Sequence, residues 1–327
     1  MQALVSQKGL NHYLTNHLKN DFNPPLFYFL TIFWSKIFPI NEITFRLPSV
    51  ILFTLSSFLL YEITKVLNFP RKKALLTLFL TLSSPLLLYY SQEARPYIMA
   101  TTTTLASTLF FLKFTKTKSK TNLLLHSLFL TISMFTHYTT FLLIPLYPLY
   151  LLLTKNQKHL KTYFLSWILP TLSFSLYLPT FFSQLKHSQA AHQMYPGWFM
   201  VIGKANLKSA FLLFTKFIIG RVSFLNKKLY LLLALILIPL YWIPSIKGKQ
   251  KHPLSLFLLI PPLLGLLISF KSPIFDYFRF LYCLPYLYLL IGKNSHPNLS
   301  KLLIFINLSF SLFYLLTPSF HREDWKG

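Results

Sequence analysis

Apolar runs of near bilayer length recur from residue 26 to residue 316, and short lysine clusters interrupt them at about every second run. A helix needs about 20 predominantly apolar residues to cross a hydrocarbon core. Charged residues make up 12% of the 327 positions and hydrophobic residues 54%, where a soluble domain carries roughly 25% charge. These features dictate an all-α, polytopic bundle of transmembrane helices whose first partner is the lipid bilayer. The formal charge of +25 does not imply nucleic acid. The lysines sit in turns between apolar runs, as in the cytoplasmic loops of membrane proteins, and no nucleic-acid-binding module is present. A single cysteine, Cys283, excludes an intrachain disulfide and any multi-cysteine metal site. Residues 1–20 lack the apolar core of a cleavable signal peptide.

In chain order, residues 1–23 are polar, and Asp21-Phe-Asn-Pro-Pro25 stops one helix and starts another. Residues 26–40 are too short to span and suit a helix lying in the interface. Six spans are expected over 46–67, 74–90, 97–112, 122–135, 140–153 and 162–182. A loop over 183–209, with Trp198, follows. Residues 210–226 carry Lys216 in their middle and read as an interfacial helix. As a span they would move the lysines of 247–251 away from all the others. Four more spans, 229–246, 253–270, 277–291 and 301–316, bring the expected number to about ten. The chain is one membrane domain, divided at 1–45, 46–182, 183–227, 228–317 and 318–327. The lysine turns near 65–73 and 113–120 lie two spans apart, and so on one side, which the positive-inside rule makes cytoplasmic. Asp21, Glu93, Arg95, Asp276, Arg279 and the tail from His321 are then external.

Charges outside the lysine turns are scarce. The acids are Asp21, Glu42, Glu62, Glu93, Asp276, Glu323 and Asp324, and only Glu62 falls toward the cytoplasm. External carboxylates could act as general bases or as ligands for a divalent metal. Six of the 32 basic residues are arginine, and only Arg71 lies in a lysine turn. Arginines placed against the topological bias suit bidentate capture of a phosphate, the plainer alternative being snorkelling from helix ends. The strongest concentration is Tyr89-Tyr90-Ser91-Gln92-Glu93-Ala94-Arg95-Pro96-Tyr97, a polar island between two apolar runs. Charges held at a membrane boundary are costly and are often functional. An ordinary polar loop with Pro96 opening the next helix is the bland reading. The histidines show no metal-ligand spacing. His137 and His192 could approach an external site, though a loop histidine is more often ordinary surface. Phosphate-binding glycine loops, nucleophile elbows and HExxH are absent.

Three stretches together resemble the bacterial membrane glycosyltransferases of the GT-C class, relatives of the dolichyl-phosphate-mannose protein mannosyltransferases (glycosyltransferase family 39). Asp21-Phe-Asn-Pro-Pro-Leu-Phe-Tyr is similar to that family's D-x-H-P-P-L-Y-Y element. Asn41-Glu-Ile-Thr-Phe-Arg-Leu-Pro-Ser49 is similar to S-E-x-x-x-R-L-P-S, and Ser84 to Tyr97 to S-P-x-x-x-x-Y-S-Q-E-A-R-P-Y. Thr136-His-Tyr and Phe278-Arg-Phe-Leu-Tyr-Cys-Leu-Pro285 follow in the family's order. The resemblance implies a multi-pass enzyme of the cell membrane that moves a sugar from a polyprenyl-phosphate donor to a lipid, glycan or protein acceptor at the external face. It implies Asp21 and Glu93 as catalytic residues. Arg95, Tyr97, Tyr90, His137, Tyr138, Arg279 and Arg46 would contact substrate, and no cofactor is certain.

One departure stands out. The family opens with a further apolar span and an Asp-Glu pair, neither of which precedes the matched motifs here. The tail from His321 is similar to the start of an external C-terminal region. The expectation is a chain cut short at both ends, whose activity in this form is open. The competing classes are a transporter or lipid flippase, which would place polar groups near the midplane, and a remnant that binds lipid-linked sugar without turnover.

Overall fold

Proline and small hydroxyl or amide residues punctuate these helices. The computed structural model describes residues 2–195, 197, 203, 205–224, 226–246 and 253–317. The lysine cluster of 247–251, Trp198 and the tail from His321 lie outside the described residues. The N-terminal helix α1 (Gln2–His12) packs on α2 (Leu26–Ser35) through Val5, Tyr13, Tyr28 and Ile32. Next, α3 (Glu42–Val66) opens on a capping box between Asn41 and Thr44. Helix α4 (Arg71–Leu82) and α5 (Pro85–Ser91) follow, the latter with Ser84 as N-cap and Pro85 in its first turn. The two meet at 55°, so the expected span over 74–90 is broken in its middle.

The core is built around α6 (Pro96–Thr117), which packs on α3, on α7 (Lys120–Met134) and on a 3₁₀ segment, Tyr277–Cys283. Thr101 to Thr104 are all buried, and their hydroxyls return to carbonyls three or four residues back on their own helix. This satisfies the hydroxyls where no water reaches. Deeper in the bundle, Thr108 Oγ1 bonds Tyr286 OH at 2.7 Å and Tyr147 OH at 3.1 Å.

The rest of the bundle comprises α8 (Leu146–Leu153), α9 (Leu160–Phe164), α10 (Ile168–Met194), α11 (Leu207–Ile219) and α12 (Lys227–Ile246). It ends with α13 (Ser255–Ile268), α14 (Leu284–Asn294) and α15 (Pro297–Leu316). Helix α10 continues for three turns into the stretch expected to be loop. Its sequence there, with three Gln and two Ala and no Gly or Pro, favours helix.

Four helical runs among the described residues are long and apolar enough to cross a bilayer alone: α3, 157–194, α12 and α15. The bent α4–α5 pair makes five if it counts as one span. The other expected crossings fall on helices that are shorter or more polar, and about ten spans is therefore not what helix length alone gives. A helix surrounded by protein need not present an apolar face to lipid. With 22 residues, α6 is about 33 Å long at 1.5 Å per residue, yet its threonines lower its hydropathy.

The lysine turns gather at one end of the bundle. Lys73 Nζ donates to Lys293 O at 2.6 Å, and Lys116 Nζ to Asn68 Oδ1 at 3.2 Å. Asn294 Nδ2 donates to Pro244 O at 3.1 Å, which brings the C-terminal part of α12 to the same end. The acidic and arginine-bearing loops meet at the other.

Candidate functional site

The loop after α1 is closed by its own acid. Asp21 Oδ1 accepts from the backbone N–H of Phe22 at 2.6 Å and of Asn23 at 3.0 Å, and from Asn23 Nδ2 at 3.3 Å. This is an Asx-type turn. The Asp21 carboxylate also acts on the Tyr28 hydroxyl, in the first turn of α2, adding to the burial that raises its pKa. Leu26 N donates to Phe135 O at 3.0 Å, which ties the loop to the end of α7.

Glu93 and Arg95 stand on a tight turn between α5 and α6, with Arg95 N donating to Glu93 O at 2.8 Å. Ser49 Oγ on α3 donates to the same carbonyl at 2.7 Å. The side chains pair, Arg95 Nε lying 3.3 Å from Glu93 Oε2. The Arg95 guanidinium also lies near the Tyr97 hydroxyl. The Tyr97 ring lies 5.2 Å from Tyr90, 5.0 Å from Phe278 and 5.6 Å from His137, centroid to centroid.

The third loop brings Asp276 and Arg279. Arg279 Nη1 donates to Pro273 O at 2.9 Å, and its carbonyl accepts from Thr139 Oγ1 at 2.7 Å. His137 Nδ1 meets Thr139 Oγ1 at 2.7 Å. Burial, with Arg279 adding to it, pushes the His137 imidazole down to about 3. The ring is therefore a neutral brace for the 137–139 turn. Burial pushes the Asp276 carboxyl up to about 6, against the pull of Arg279, the Tyr277 amide and Arg221.

A fourth contribution comes from the hairpin after α11. Gly220 has φ +67°, and a Cβ there would stand 2.9 Å from Pro85 Cβ, so glycine lets the hairpin lie against the start of α5. Lys216 Nζ donates to Val222 O at 2.7 Å and pins the turn, while burial pushes its ammonium down to about 8. Arg221 Nη1 donates to the Tyr277 hydroxyl, and its guanidinium lies 5.2 Å over the Tyr89 ring. The Tyr277 and Tyr90 hydroxyls lie near each other.

Glu93, Arg95, Tyr97, Tyr90, His137 and Arg279 thus share one cluster, and Asp21 stands near it by way of Tyr28, whose hydroxyl feels both Asp21 and Arg95. Tyr138 hydrogen-bonds Gln184 on α10, on the Asp21 side of the cluster. Arg46 pairs with Glu42 at 2.7 Å on the first turns of α3, and it is Ser49, nearly one turn on, that reaches Glu93. The sequence reading left out Tyr28, Tyr277 and Gln184, and it noted Arg221 only as an arginine outside the lysine turns. Among the described residues no three His, Cys, Asp or Glu side chains come together as metal ligands.

Residues 23–182, just under half of the chain, match the family model for dolichyl-phosphate-mannose-protein mannosyltransferase. Two solved structures share the fold. ArnT from Cupriavidus metallidurans bound to undecaprenyl phosphate superposes with a TM-score of 0.59 at 14% identity. The same protein in the apo state gives 0.52, also at 14% identity. Each match covers 90% of this chain and 54% of that one, so the chain spans about half the length of the structures it resembles. No curated protein matches it in sequence. The chain has a GT-C-like, all-α membrane fold and is similar to the membrane glycosyltransferases of that class.

Proposed function

We propose that this protein transfers a sugar from a polyprenyl-phosphate donor to a hydroxyl-bearing acceptor at the external face of the cell membrane, with inversion at the anomeric carbon. The observation that carries the reading is the meeting of Asp21, Glu93 and Asp276 with Arg95, Arg221 and Arg279 at the end of the bundle opposite the lysine turns. The mannosyltransferase family model and the lipid phosphate bound in one ArnT structure support the donor class.

In the transfer the acceptor oxygen bonds to the anomeric carbon and the bond from that carbon to the phosphate oxygen breaks, its electron pair leaving on the phosphate. The acceptor proton passes to a carboxylate. Guanidiniums stabilise the phosphate as its charge grows. Glu93 stands on the α5–α6 turn beside the exposed Arg95 guanidinium. Asp21, whose Oδ1 closes its own loop, is the second carboxylate of the site. Tyr97 and Phe278, both partly exposed, offer rings on which a sugar can stack, and the buried Tyr90 supports them from behind.

The test is turnover in vesicles supplied with polyprenyl-phosphate sugars and mixed acceptors. Release of polyprenyl phosphate with sugar on the acceptor is the expected result. Movement of intact donor between leaflets without sugar release would establish a flippase instead.

A further inference from the structure

We propose that Gln184 is a positioning residue for this transfer, clamping the loop that carries Asp21 onto helix α10. The inference rests on the transferase reading for its catalytic part and on geometry alone for the clamp. Gln184 is 3% exposed. Its Oε1 accepts from the Tyr138 hydroxyl and, at 3.3 Å, from the Tyr177 hydroxyl. Its Nε2 donates to Leu18 O at 2.5 Å and to Asn23 O at 3.3 Å. Those two carbonyls bracket Asp21, whose carboxylate closes the same turn from within.

The amide is suited to this place because it presents an acceptor to one side and two donors to the other. Its orientation follows from its partners, since backbone carbonyls only accept. Three elements distant in sequence meet on the one side chain: the first loop, the turn after α7, and the part of α10 that the sequence reading assigned to a loop. Near it, the Phe22 ring lies 5.6 Å from His187, one turn further along α10. With the clamp in place Asp21 lies near Tyr28, whose hydroxyl feels the charges of both Asp21 and Arg95. Without it, the carbonyls of Leu18 and Asn23 lose a buried donor, and the loop keeps the Leu26 hydrogen bond, its own turn and the Phe22–His187 contact.

Gln184→Glu tests the claim by chemistry. The carboxylate still accepts from both tyrosines but turns an anionic oxygen toward two carbonyls, and it regains a donor only when protonated. Turnover relative to wild type should fall about tenfold or more at neutral pH, carried by kcat rather than by KM for the donor. The ratio should recover as the pH is lowered, which general damage to packing would not produce. Trypsin cleavage after the exposed Lys19, read against cleavage after Lys8, should be about tenfold faster in Gln184→Glu and in Gln184→Ala, with Leu185→Ala as the control that behaves like wild type. Unchanged cleavage at Lys19, or a Gln184→Glu protein as active as wild type at neutral pH, overturns the proposal. Wild-type protein that releases no polyprenyl phosphate removes the transferase reading and the catalytic part with it, while faster cleavage would still establish the clamp.

Discussion

Glu93 and Arg95 pair at 3.3 Å with unequal burial: the acid side chain keeps 10% of its surface exposed and the arginine 48%. An ion pair so open on one side contributes little to stability, about 0–1 kcal/mol. Its use is orientation. The turn fixed by Ser49 holds the carboxylate, and the guanidinium remains accessible to an incoming phosphate.

Replacing either member of this pair should therefore cost activity and little stability. Glu93→Gln and Arg95→Ala are each expected to lower turnover by about tenfold or more at unchanged expression and melting temperature. Initial rates of polyprenyl-phosphate release, set beside a thermal melt of the same preparation, check this.

Arg279 combines a backbone hydrogen bond to Pro273 O with a position beside Asp276 and Tyr97. Lysine keeps the charge but loses the planar fork that grips a phosphate through two bonds. Arg279→Lys should raise KM for the lipid donor by about tenfold, a titration of donor concentration being the measurement.

Asp276 gives the fold a pH dependence of definite sign. Its folded carboxyl is raised to about 6 by burial, while an unfolded aspartate titrates near ~3.9. The folded state binds the proton more tightly, so its contribution is complete below about pH 4 and is lost as pH rises through about 6. Asp276→Asn, which mimics the neutral acid, should melt with wild type at pH 4 and above it at pH 8. The gap at pH 8 should be about 3 kcal/mol.

Helices α4 and α14 touch where Gly292 lies. A Cβ there would stand 1.9 Å from Thr77 Oγ1 and 3.2 Å from Thr77 Cβ. Small residues permit such approaches between membrane helices. Gly292→Ala should destabilise the protein by about 1–3 kcal/mol. Adding Thr77→Ala should restore part of the loss, as read by melting temperature in detergent.

The sequence showed the site where chemistry was rare and the fold where its periodicity was simple. Asp21, Glu93, Arg95 and Arg279 stood out because charges outside the lysine turns are few. Gln184 carries no such mark. It looks like one polar residue among many, and its partners lie on segments more than 150 residues away and about 45 residues away. Arg221 was visible as an arginine, but its meeting with Tyr277 depends on the hairpin that Gly220 allows. The helix ends were less legible than the helices. Ser84 and Pro85 break an apolar run with no change in composition, and α10 outlasts its apolar stretch because helix propensity and tertiary contacts continue where hydrophobicity stops.

The central claim is that the acid and arginine loops occupy one face of the membrane, the external one, and the lysine turns the other. Single cysteines at Asn20, Lys271, Lys120 and Lys155, in a protein with Cys283→Ala and in intact cells, can be treated with a membrane-impermeant thiol reagent. Asn20→Cys and Lys271→Cys are expected to label at once, and Lys120→Cys and Lys155→Cys only after permeabilisation. Labelling of Asn20→Cys and Lys271→Cys from opposite sides would dismantle the site, and labelling of both only after permeabilisation would contradict transfer at the external face.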